Sequence, residues 1–155
     1  LENGGQVITV GAATSLAYHL DLPVSNALVE VIDGEERNLP GDKYYIPGSV
    51  LEMHVDASSP ANYGMGEKAF VMFNNSPVFK LAPEAGLKGI KPLAWFGTEP
   101  PLRSGWAWGQ QYLKNGVTAF EAPVGKGRLL VYGPEITFRA QSHGTFKMLF
   151  NGLYK

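Results

Sequence analysis

Cysteine is absent from this 155-residue chain. Its absence excludes disulfides, thiolate metal sites and a cysteine nucleophile. It does not fix the compartment, because a chain without thiols is stable in either redox environment. Charge is also scarce: 17% of residues are Asp, Glu, Lys or Arg, and the formal net charge is -1. The basic residues form no stripe, so nothing points to electrostatic binding of nucleic acid or anionic lipid. So low a charged fraction predicts that some faces are covered by other protein. No apolar run approaches the roughly 20 residues of a membrane span, and the opening LENGGQ has none of the parts of a signal peptide.

What is present fits one domain with a real core. Apolar types make up 45% of the chain. The 19 glycines and 11 prolines are spread along the middle and predict many turns rather than disorder. Residues 1 to 5 read as a helix end with a glycine cap. Val7 to Val10 form an apolar run expected to be an interior strand of a mixed sheet, buried on both faces. Ala13 to Leu20 read as a short helix closed by Pro23. Helix end, strand and helix are the signature of an α/β unit, and a helix end without its beginning suggests a piece of something longer.

In the middle, Asn26 to Val31 read as a strand and Asp33 to Asp42 as a polar turn region. Val50 to Val55 alternate, with Leu51, Met53 and Val55 on the buried side. Ala69 to Phe73, Val78 to Leu81 and Leu93 to Phe96 are further strands, and residues 108 to 114 a helical turn. Thr118 to Ala122 and Arg128 to Tyr132 are expected to pair antiparallel across a glycine turn, with the second central. Last, Phe146, Leu149, Phe150 and Leu153 fall at i, i+3, i+4 and i+7. They predict a helix from Ser142 to Leu153, capped by Ser142, with this stripe laid on the sheet.

Candidate chemistry is sparse. His19, His54 and His143 sit in no zinc-binding spacing, so no metal ligand is assigned. The GxSxG elbow is missing, and the adjacent pairs Gly48-Ser49 and Ser142-His143 do not by themselves place a base on a hydroxyl. Gly11 follows a strand, but GxGxxG is absent, which argues against a dinucleotide. Asn74-Asn75-Ser76 fits a glycosylation acceptor, a weak signal alone. Two features stand out. The segment from Gly133 to Gly144 lies beyond a buried strand, where α/β folds hold ligands, and carries Glu135, Arg139, Gln141 and His143. Those residues form either a small polar site or a network that ties the loop down, with Arg139 paired to Glu135 or to carbonyls. Trp106 and Trp108 flank Ala107 in a glycine-rich turn. They form either an aromatic binding surface or a packing and interface anchor.

The closing stretch GKGRLLVYGPEITFRAQSHGTFKMLFNGLY, residues 125 to 154, resembles the C-terminal region of large secreted bacterial M14-type zinc carboxypeptidases. In those proteins a class I glutamine-amidotransferase-like α/β domain follows the peptidase domain. Residues 2 to 24, 44 to 65, 73 to 79 and 104 to 113 fit the same region, so the resemblance covers nearly the whole chain. It implies a partial flavodoxin-like, amidotransferase-like fold whose earlier strands lie upstream of Leu1. It also implies a secreted or periplasmic location and contact with an upstream peptidase domain. The amidotransferase nucleophile is a cysteine, so that chemistry does not carry over, and no residue matches the peptidase zinc ligands. The expectation is a single domain over residues 1 to 155 without catalytic residues, cofactor, nucleic-acid partner or membrane partner of its own. Its role would be an accessory or interaction domain of a secreted zinc-peptidase-like protein. Two alternatives stay open: a hydrolase with a site near Glu135 and His143, and a small-ligand or glycan-binding module using Trp106, Trp108 and Arg139.

Overall fold

The computed structural model describes residues 1 to 154. Eleven strands and two short α-helices occur among them. In chain order they are β1 (Gln6–Val10), α1 (Leu16–His19), β2 (Val24–Asn26), β3 (Val29–Ile32), β4 (Glu35–Asn38), β5 (Ser49–Val55), β6 (Lys68–Phe73), β7 (Phe79–Leu81), β8 (Lys91–Trp95), β9 (Leu102–Ser104), β10 (Val117–Val124), β11 (Gly127–Tyr132) and α2 (Phe146–Leu153). Nine strands form one mixed sheet in the order β1-β11-β10-β8-β5-β6, with β2, β7 and β9 paired beside this path. The expected α/β class with a mixed sheet is what is found. Only β1 and β11 run parallel; every other pairing is antiparallel.

Period-two patterning sorts side chains onto two cores, one on each face of the sheet. On β11, Leu130 and Tyr132 join a core with Ile46, Leu51, Met53, Phe73 and Met148. Their neighbours Leu129 and Val131 join a second core with Ala17, Phe79, Ile90 and Phe120. A strand buried on both faces must be apolar throughout, which is why this run is continuous. Strand β5 alternates as its sequence predicts: Leu51, Met53 and Val55 are buried and the residues between them are half-buried. Strands β10 and β11 pair antiparallel through the Gly125-Lys126 turn, as expected.

Several expectations need correction. Strand β1 is not interior: it pairs with β11 alone and ends the sheet. Its apolar pattern reflects contact with both cores, Ile8 and Val10 on one face and Val7 on the other, rather than strands on both sides. Residues 1 to 4 form a turn closed by the Gly4 N–H on the Leu1 carbonyl, 3.1 Å away. The single strand expected over residues 26 to 31 is split. Asn26 Oδ1 accepts the Leu28 N–H and breaks the run there. The following β3 then pairs with β4, a strand missed in a segment read as polar turn. A separate two-stranded hairpin has no buried face to demand apolar residues, and β4 is exposed throughout. Its turn is Asp33-Gly34, both at positive φ (53° and 83°), as a tight two-residue hairpin turn requires.

The last helix also differs. Residues 143 to 145 form a 3-10 turn, and α2 begins at Phe146. The Ser142 side chain makes no capping bond. Instead the Thr145 hydroxyl, fully buried, donates to the carbonyls of Ile136 (2.5 Å) and Ser142 (2.9 Å). The face turned to the sheet is Met148, Leu149 and Gly152. Two members of the apolar stripe are left in solvent: Phe150 is 48% exposed and Leu153 60%. Gly152 explains the rotation. A Cβ there would lie 2.8 Å from Ile8 Cδ1, so the helix approaches β1 along its one residue without a side chain.

Candidate functional site

The C-terminal ends of β1 and β11 point to the same side of the sheet, the side on which α/β folds hold ligands. A cavity of about 450 Å³ opens there. Thr14, Ser15 and Tyr18 come from the turn and helix that follow β1; Asn26, Leu28, Asn38 and Leu39 flank the β3–β4 hairpin; Tyr44 and Tyr45 come from the segment before β5; Asn75, Ser76 and Pro77 follow β6. None of the residues lining it is charged. Asn38 Oδ1 accepts from Asn26 Nδ2 (3.0 Å), and Asn75 Oδ1 accepts the Ile46 N–H (2.8 Å), which fixes both amides with their other end uncommitted. Tyr44 is only 8% exposed, and its hydroxyl has no hydrogen-bond partner among the described residues. Burial pushes the Tyr44 phenol well above the usual tyrosine range, so it stays a neutral donor.

Beside this cavity lies the aromatic stretch singled out in the sequence. The Tyr45 N–H donates to the Trp108 carbonyl and the Trp108 N–H to the Tyr45 carbonyl, each at 3.0 Å. The Ser49 hydroxyl donates to the Trp106 carbonyl (2.5 Å) and accepts the Trp106 N–H (2.9 Å). Gly109 permits the close approach: at φ 77°, a Cβ there would fall 2.1 Å from the Lys43 carbonyl oxygen. Trp106 meets Tyr45 edge to face, ring centres 6.0 Å apart, and Trp108 Nε1 donates to the Asp42 carbonyl at 2.6 Å. Both tryptophans remain 53% exposed. They are therefore neither core plugs nor loose; they form a fixed aromatic ledge that continues the cavity wall through Tyr45.

The polar segment after β11 is arranged differently. Glu135 and Arg139 are exposed and make no ion pair among the described residues. The Arg139 guanidinium instead sits 5.1 Å from the centre of the Phe138 ring, with its backbone at φ 46°. Gln141 and His143 line a shallow cleft with Phe70 and Lys147, and neither Glu135 nor Arg139 lines it. His143 Nε2 lies 2.9 Å from the Ala140 carbonyl, and its ring packs on Phe146. The four residues thus do not form one site: Gln141 and His143 share a cleft that Glu135 and Arg139 do not line. Among the described residues no group of three or more His, Asp or Glu is placed to hold a metal ion, and no helix is long and apolar enough to cross a membrane. The cavity residues Tyr44, Asn38 and Asn75 were missed in the sequence. Tyrosine and asparagine at such positions are ordinary, and only the fold brings a strand end and two loops together.

No family model matches the sequence, and no curated protein is similar to it. Similarity appears among solved structures. A ThuA-like protein from Bacteroides uniformis superposes with a TM-score of 0.51 at 12% identity, over 99% of this chain and 58% of that one. A β-galactosidase from Bacillus circulans sp. alkalophilus superposes with a TM-score of 0.52 at 11% identity, over 98% of this chain and 19% of that one. The chain therefore spans less than two thirds of the length of either protein. At such identities the likeness speaks for the fold alone, and that fold is amidotransferase-like.

Proposed function

We propose that this chain is a non-catalytic interaction domain, accessory to a larger protein, and that it docks through the open edge of β1. The Arg128 N–H donates to the Gly5 carbonyl at 3.0 Å. In a parallel ladder residues alternate in direction, so Gly5, Val7 and Thr9 face β11, while Ile8 and Val10 turn their N–H groups to the free edge. Those two N–H groups and the Ile8 carbonyl have no partner among the described residues. The exposed Leu153 of α2 lines a cleft at this edge together with Ile8 and Gly152. An unpaired edge with an uncovered apolar side chain beside it fits an incoming strand with its own packed helix or layer. The larger extents of the two superposed structures agree with a parent of greater size. A secreted or periplasmic M14-type zinc carboxypeptidase is the parent that the sequence resemblance supplies. A hydrolase centred on Glu135 and His143 has less support, because these residues share no cavity.

Amide hydrogen exchange tests the docking. In the isolated 155-residue chain, the Ile8 and Val10 amides should exchange fast while Val7 and Thr9 are protected. In the polypeptide purified from its native source, the Ile8 and Val10 amides should slow by at least about 100-fold. Equal exchange in both samples, or a native polypeptide no longer than this chain, rejects the reading. Protection that appears in the isolated chain with rising concentration assigns the edge to a second copy instead.

A further inference from the structure

We infer that the cavity at the C-terminal ends of β1 and β11 is a binding site for a small, uncharged, polyhydroxylated ligand of the sugar or cyclitol class. Three observations meet at this place. Its volume of about 450 Å³ lies within the range of about 300–1,000 Å³ common to small-ligand sites. Its wall sets hydroxyl and amide side chains among apolar ones such as Leu28, Leu39 and Pro77 and carries no charge, so an ionic ligand would find no counter-charge to offset its desolvation. Asn38 and Asn75 are each anchored through Oδ1, so their remaining N–H groups are oriented before any ligand arrives. Prior orientation lowers the entropy lost on binding.

The aromatic ledge supplies the second element that such ligands use. Tyr45 belongs both to the cavity wall and to the pair with Trp106. Sugar rings present C–H faces as well as hydroxyls, so amphipathic aromatic side chains beside polar amides match both properties. A ligand longer than one ring would run from Tyr44 out over Tyr45 toward Trp106. This site is separate from the β1 edge, and the inference does not depend on the docking proposed above.

The test is titration of the isolated chain with glucose, galactose, maltose and myo-inositol, followed by tryptophan fluorescence and calorimetry. Gluconate and cyclohexanol serve as charged and apolar comparisons. At least one neutral polyol should bind with a dissociation constant in the millimolar range or below. Tyr45→Ala should weaken that ligand by roughly 5- to 10-fold through the lost aromatic contact. Asn38→Ala, on an exposed strand, should weaken it comparably through one lost hydrogen bond. Failure of all four polyols to bind at 100 mM (a working limit of about that size) overturns the inference. So does tighter binding of gluconate or cyclohexanol, or a polyol affinity untouched by both substitutions.

Discussion

The sheet has two ends, and they are finished in different ways. At the β6 end the strand carries Lys68, whose ammonium meets Glu52 on β5 at 2.7 Å, and Arg103 on β9 joins the same carboxylate at 3.0 Å. The turn from His143 to Thr145 packs against β6, and Lys147 reaches across to the Gly64 carbonyl. Charge and a covering segment are the usual protections of an exposed strand. At the β1 end there is neither. No residue from Gln6 to Val10 is charged, and nothing among the described residues pairs with its outer side. The contrast is what the proposed docking rests on: one end of the sheet is charged and covered, and the other leaves its backbone edge open.

The largest expected effect lies at the protected end. Phe73 is fully buried on β6, its ring 5.7 Å from that of Phe96. Phe73→Ala should lower stability by about 3–5 kcal/mol, read from the urea midpoint; a loss under half of that would mean β6 is less firmly packed than β1. Next comes the seam between α2 and β1. Gly152→Val places carbon against Ile8 and Leu130 and should cost about 1–3 kcal/mol by overpacking. An unchanged midpoint would show that α2 can lift from the β1 end at no cost.

The stripe residue Phe150 should be much less sensitive. Being 48% exposed, Phe150→Ala should cost under about 1.5 kcal/mol in the isolated chain. A larger loss there would mean that the chain alone covers its own stripe. The smallest effect is the pH dependence of the ion cluster on the β6 side. Hydrogen bonds from Lys68, then from Arg103, hold the Glu52 carboxyl below the usual carboxylate range. A lowered folded-state pKa means the contribution is complete above the ordinary Glu pKa and fades as pH falls through the folded value. Glu52→Gln should flatten that acid limb slightly, and added salt should do the same to the parent, since the cluster is on the surface. Equal acid limbs in parent and variant at low salt would remove this cluster from the account.

Much of the fold was legible because period-two and continuous apolar runs report burial directly. Strands β5, β6, β8, β10 and β11 follow from the alternation of Leu51, Met53 and Val55, or from runs such as Leu129 to Tyr132. What periodicity cannot report is who does the burying. Val7 to Val10 read as interior because two faces were apolar, yet face burial by helices leaves the backbone edge open. The stripe on α2 was real in sequence, but the close approach at Gly152 turned half of it to solvent. In the candidate site, Trp106 and Trp108 were visible as an oddity of composition. Tyr44, Asn38 and Asn75 were not, since the outermost two stand 37 positions apart and no local pattern links them.

The pairing of the first strand with the eleventh also sets an order of events in time. Gln6 and Arg128 are joined across 122 positions. At about 5–20 residues per second, roughly 6–24 s of synthesis separate their appearance. During that interval β1 has no β-partner, while β5 and β6 can close as soon as their hairpin emerges. The β1–β11 ladder is therefore among the last parts of the sheet to be made. A ribosome-bound chain cut short before Arg128 should hold its middle strands folded and its N-terminal strand free, which is the state in which a chaperone would meet it.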